Sequence, residues 1–101
     1  MNKPKLLSTL GLAERASLLV SGEESVLEAV RNRKAFLVFL ASDAGPATEK
    51  RITDKCSFYG TSLLRELTGD ELSHAIGKPG RRVVGVTDRK MAELLIRTAN
   101  E

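Results

Sequence analysis

Apolar residues mark out the chain before any single residue suggests chemistry. Leu6, Leu7, Leu10, Ala13 and Ala16 recur at helical spacing, which predicts a helix over about Pro4 to Arg15 with one apolar face. Ser17 to Val20 reads as a short strand. Ser21-Gly-Glu-Glu24 fits the Ser-x-x-Glu capping box, so a second helix is expected from there to about Arg33, with Val26, Leu27, Ala29 and Val30 facing the core. Its acidic residues come early and Arg31, Arg33 and Lys34 come late, as the helix dipole favours. Ala35 to Ala41 is unbroken, apolar and partly β-branched, the pattern of a strand buried on both faces. Gly45-Pro46 ends it and opens a helix to about Tyr59.

Thr61 to Leu67 is a weaker strand candidate. Thr68-Gly-Asp-Glu71 opens a short helix through Ile76, closed by Gly77. Arg82 to Thr87 is the next strand. Thr87 or Asp88 caps a last helix whose apolar stripe is Met91, Leu94, Leu95 and Thr98. Helices thus alternate with buried strands, with no linker, repeat or low-complexity stretch. That order predicts an α/β fold, a three-layer α/β/α sandwich in one domain spanning 1–101.

At 101 residues and 42% hydrophobic composition, the chain can bury a core without disulfides or metals. Cys56 is the only cysteine, so no internal disulfide forms, which fits a reducing, cytoplasmic setting. The run from Ala35 to Ala41 is too short to cross a bilayer, and Glu14 and Arg15 interrupt any signal-peptide core. The net charge of +3 and pI near 9.3 are a mild basic bias. Residues 61–80 hold Arg65 and Lys78 against Glu66, Asp70 and Glu71, so the positive excess lies in the first and last thirds. Only Phe36, Phe39, Phe58 and Tyr59 are aromatic, which argues against stacking platforms for single strands.

Cys56 and His74 are the only thiol and imidazole. They fall on different elements, and Cys56 shares a helical face with Ile52 and Tyr59, so it reads as a core thiol. One cysteine and one histidine cannot supply a soft metal site, and no phosphate-binding glycine motif occurs, so no metal or cofactor is expected. Asp43 follows a strand's C-terminal end, where α/β proteins place function, and it suits a turn residue equally well. Ser21 to Glu24 caps a helix, or presents backbone N–H groups to phosphate with carboxylates beside them for base edges. Gly77-Lys-Pro-Gly-Arg-Arg82 is a helix stop, or a compact phosphate site of three cations.

Lys34-Ala-Phe-Leu-Val-Phe-Leu-Ala-Ser-Asp-Ala-Gly-Pro46, Thr53-Asp-Lys-Cys56 and Leu72-Ser-His-Ala-Ile-Gly77 before a Val-rich strand, with the glycine and acidic residues opening the second helix, form one ordered set. Together they resemble the ribosomal L-seven-Ae / L-thirty-e superfamily of kink-turn RNA-binding proteins, and more narrowly its small bacterial YlxQ-type members. The resemblance runs from about Leu10 to Ile96. It implies a four-stranded mixed sheet and binding of structured RNA without catalysis or cofactor. The helix start, Gly22, Glu23, Glu24, Ser25 and Glu28, would meet sheared G·A pairs. Lys78, Pro79, Gly80, Arg81, Arg82 and Val83 would grip the flanking backbone and a flipped nucleotide. Asp43, Ala44 and Gly45 would border the nucleotide pocket.

The chain departs from the best-known members, which carry Gly-Thr-Asn-Glu-x-x-Lys where it has Gly22-Glu-Glu-Ser-Val-Leu-Glu28. It also has Leu72-Ser73 for their Leu-Gly, and Gly45 where an acidic residue often stands. The resulting expectation is a non-enzymatic, ribosome-associated ribonucleoprotein component. Its partners would be ribosomal or other non-coding RNA and ribosomal proteins, not DNA or a membrane. The first rival is a protein-interaction module of the same fold, and the second is a small enzyme using Cys56 or Asp43.

Overall fold

The computed structural model describes residues 1–101. Its elements in chain order are α1 (Lys3–Arg15), β1 (Leu19–Ser21), α2 (Glu23–Arg31), β2 (Leu37–Leu40), α3 (Pro46–Tyr59), β3 (Ser62–Leu64), α4 (Gly69–Ile76), β4 (Val83–Val86) and α5 (Arg89–Ala99). The strands form one mixed sheet in the order β1-β4-β2-β3. β4 runs antiparallel to both β1 and β2, and β3 runs parallel to β2.

The two central strands explain the apolar runs. All residues of β2 and of β4 are buried. Successive side chains point to opposite faces, so one strand serves two cores. Leu37, Phe39, Val84 and Val86 pack with Leu6, Leu10, Leu72, Ile76, Ala92 and Leu95 of α1, α4 and α5. Val38, Leu40 and Val83 pack with Val26, Ala29, Val30, Ile52 and Cys56 of α2 and α3. The expected three-layer sandwich and four-stranded mixed sheet are both present.

Several boundaries differ from the expectation. Ser21 does not cap α2. It is the last residue of β1, paired with Val84, and Gly22 takes the N-cap position without any side-chain hydrogen bond. Gly22 has φ 96° and ψ 148°, a conformation open only to glycine, because a strand must pass directly into a helix there. The chain's capping box is at Thr68: its hydroxyl accepts from the Glu71 N–H at 3.1 Å, and the Glu71 carboxylate accepts from the Thr68 N–H at 2.9 Å. α2 stops at Arg31, two residues early, because Arg33 turns left-handed at φ 59°. β3 is shorter than 61–67. α5 buries Ala92, Leu95 and Thr98, with Met91 and Leu94 only at the margin of that face. Asp88, not Thr87, caps it, accepting from the Met91 N–H at 2.9 Å.

Candidate nucleic-acid interface

β1, β2 and β3 all point the same way, so their C-terminal ends share one rim of the sheet. α2, α3 and α4 each follow one of these strands, and their N-termini therefore open on that rim. Three helix dipoles present their positive ends together. β4 begins there too. The Gly22 N–H donates to the Val83 carbonyl at 2.9 Å, the Ala41 N–H to the Arg82 carbonyl at 2.8 Å, and the Ser42 N–H to the Leu67 carbonyl at 2.8 Å. These bonds bring the start of α2, the end of the basic loop and the Asp43 turn side by side.

Glu23 does not lie free. Its carboxylate accepts from the Thr48 hydroxyl at 2.8 Å and pairs with Arg51, tying the first turn of α2 to the first turns of α3. Glu24 is 86% exposed, with Arg51 3.8 Å away. Ser25 and Glu28 are exposed and line a groove along the outer flank of α2. Asp43 accepts from the Gly69 N–H at 2.9 Å and lies 3.6 Å from the Arg82 guanidinium. The Gly69 hydrogen bond, its own backbone N–H and Arg82 hold its carboxyl below the usual carboxylate range. Asp43 thus caps the first residue of α4 from another loop. Gly69 is close-packed there: a Cβ would sit 3.0 Å from Nη1 of Arg82 and 3.4 Å from Oδ1 of Asp43.

The basic loop is fastened by Ser73. Its hydroxyl accepts from the Arg81 N–H at 2.8 Å and donates to the Arg81 carbonyl at 3.0 Å. The buried Nε–H of Arg81 has no partner within the protein. Arg82 returns to the rim beside Asp43. Lys78 does not join it; it lies beyond the far end of α4, paired with Glu14 of α1 at 3.0 Å. The sequence reading missed Thr48, Arg51 and Arg65. Arg51 and Arg65 pair with Glu23 and Glu49. The available signal for Thr48 and Arg51 was a helix opening, Pro46 to Arg51, one short turn after a buried strand; for Arg65 there was none.

Cys56 and His74 stay apart. Cys56 is buried between α3 and the sheet, where burial pushes its thiol pKa up to about 11. His74 is exposed on α4, in the opposite layer. No group of three or more His, Cys, Asp or Glu side chains is placed to hold a metal ion. No helix is long and apolar enough to cross a membrane.

Residues 4–96 match the model of the Ribosomal protein L7Ae/L30e/S12e/Gadd45 family. The chain is 45% identical over 87 residues to the RNA-binding protein YlxQ of Bacillus subtilis, covering 86% of this chain and 87% of that one. It is 39% identical over 92 residues to the RNA-binding protein YlxQ of Enterococcus faecium, covering 91% and 88%. A solved structure of a protein with unknown function from Bacillus halodurans superposes with a TM-score of 0.91 at 43% identity, covering 96% of this chain and 98% of that one. The Giardia lamblia 15.5kD RNA binding protein shares the fold, with a TM-score of 0.79 at 18% identity over 94% and 81% of the two chains. On the family match over residues 4–96 and these identities, this chain belongs to the ribosomal protein L7Ae/L30e/S12e/Gadd45 family.

Proposed function

We propose that the chain is a non-enzymatic RNA-binding protein that recognises structured, kink-turn-like RNA through this rim, in the cytoplasm and in association with the ribosome. The observation that carries the reading is the bond from the Gly22 N–H to the Val83 carbonyl. It joins the helix start and the end of the basic loop into one continuous surface. The names of the relatives as RNA-binding proteins point the same way. The rim offers helix N-termini and Arg81 and Arg82 for phosphate, and the exposed Glu24 carboxylate for donors on base edges. Such a surface suits splayed bases and a bent backbone rather than the groove of a regular A-form helix.

Replacing Arg81 and Arg82 together by Ala tests this. Affinity for a kink-turn should fall, and the slope of log affinity against log salt should flatten by about one or two units. An unchanged slope would show that the loop does not meet phosphate. A second reading has its own support. Arg51, Arg65 and Arg82 all lie against carboxylates, so the rim is not an open field of free cations, and Lys78, away from the rim, is paired as well. A protein-interaction module would bind its partner with little salt dependence, and a flat salt titration of wild type against RNA would favour it.

A further inference from the structure

We propose a second RNA-contacting surface at the opposite end of the sheet, where cations free of carboxylate partners lie over two aromatic rings and a third ring, Phe58, stands exposed beside them. This goes beyond the rim reading and stands or falls separately from it. α2 and α3 end there and α5 begins there. Their ends bring together Arg31, Arg33 and Lys34, then Phe58 and Tyr59, then Arg89 and Lys90. Between them lies a cavity of about 290 Å³, lined in part by Arg33, Phe36, Tyr59 and Arg89. The Arg33 guanidinium lies 5.3 Å from the centre of the Tyr59 ring, and that of Arg89 lies 4.9 Å from the centre of the Phe36 ring. Phe58 is 81% exposed and meets Tyr59 edge-on at 4.9 Å.

Local structure accounts for only part of this charge. Arg31, Arg33 and Lys34 suit the C-terminal end of α2, but Arg89 and Lys90 occupy the first turn of α5, where the dipole disfavours cations and the N-cap carboxylate of Asp88 is the one acidic group beside them. Arg33 holds a left-handed conformation that glycine or asparagine adopts more readily. Arg31, Arg33, Lys34, Arg89 and Lys90 form no ion pair, in contrast to the rim. The nearby carboxylates are few. Asp54 is paired with Lys50 and Asp88 caps α5, while Glu28 shares a groove with Arg33 and Lys34, and Glu93 lies one turn further along α5.

Few aromatics argued against stacking at the sequence level, yet the fold gathers Phe36, Phe58 and Tyr59 at one end. Spaced cations for phosphate, an exposed ring and guanidinium planes for bases are the combination that recognises an unpaired RNA strand. α2 is nine residues long, about 13 Å, so a strand leaving the rim along its exposed flank reaches this end within a few nucleotides.

The test uses the intact protein and a fluorescein-labelled, unstructured oligouridine followed by anisotropy. Arg33→Gln/Lys34→Gln/Arg89→Gln should lower oligouridine affinity about tenfold or more at low salt and flatten the salt slope by about two units, three contacts at roughly 0.7 each. Arg81→Ala/Arg82→Ala should leave oligouridine within about twofold while weakening the kink-turn, so failure at one end is separable from failure at the other. Phe58→Ala, at a side chain the core does not use, should lower oligouridine affinity several-fold with the slope unchanged, and it decides the matter if the triple variant does not fold. The proposal is overturned if wild type does not bind oligouridine. It is equally overturned if these variants bind it as wild type does, or if the triple variant abolishes only flotation with phosphatidylglycerol vesicles.

Discussion

Ser73→Ala isolates how the basic loop is held. The substitution removes one hydroxyl and with it two hydrogen bonds, to the N–H and the carbonyl of Arg81 at 2.8 and 3.0 Å. Each such bond contributes about 0.5–1.5 kcal/mol net. Both are only partly buried, so water replaces part of the loss, and alanine regains a few tenths of a kcal/mol in helix propensity. The expected cost is about 1–1.5 kcal/mol. In a domain of this size, that lowers the unfolding midpoint by roughly 5–10 °C. Thermal unfolding by circular dichroism measures it. RNA affinity should also fall several-fold, because Arg81 and Arg82 lose their anchor, while the salt slope stays that of wild type, because no charge is removed. Arg81→Ala/Arg82→Ala should flatten that slope. A midpoint within about 2 °C of wild type would refute the claim that Ser73 fastens the loop.

Glu28→Lys should raise kink-turn affinity by up to roughly tenfold at low salt, since an exposed carboxylate on the α2 flank repels phosphate by about 1 kcal/mol or less; unchanged or weaker binding would place the RNA away from α2. Asp43→Asn keeps an acceptor for the Gly69 N–H but removes the charge beside Arg82. The Asp43 carboxyl is depressed in the folded state, so its contribution is complete above the unfolded pKa and is lost as pH falls through the folded one. Urea unfolding should therefore show wild type ahead at neutral pH and the gap closing below about pH 4; a gap independent of pH would remove Asp43 from this role. Gly22→Ala should destabilise by about 1–3 kcal/mol from backbone strain alone, because nothing lies within 4 Å of the added Cβ; unfolding midpoints near wild type would show that the rim tolerates another backbone path.

The layers of the fold were legible because they depend on periodicity. A period of two inside an unbroken apolar run, as in Leu37–Leu40, requires cover on both faces, and the flanking helical stripes supply it. What misled was local chemistry with two uses. Ser21-Gly-Glu-Glu24 satisfies a capping pattern, but Ser21 is held in β1 opposite Val84, and strand pairing outweighs the gain of one side-chain cap. The same pattern at Thr68 does form a box, because no strand competes for that threonine. The ends of α2 and β3 were misplaced for a similar reason: a left-handed turn at Arg33 and a short edge strand leave no apolar signature.

The candidate site was legible as residue types and not as partners. Loop composition singled out Lys78, Arg81 and Arg82 together, yet the fold sends Lys78 to Glu14 and Arg82 to Asp43. Counting charges gives +3 and no hint of where the excess is free. Pairing decides that. At the rim, carboxylates from neighbouring elements hold most cations in fixed positions, which lowers their pull on a distant polyanion but sets them in place for one of matching shape. At the opposite end the cations have no such partners, and nothing fixes them except two aromatic rings. The two ends should therefore differ in kind, the rim discriminating between RNA shapes and the far end responding to strand charge and salt. Measuring the salt slopes of a kink-turn and an oligouridine on the same protein would show that difference directly, with the steeper fractional loss of affinity expected for the oligouridine.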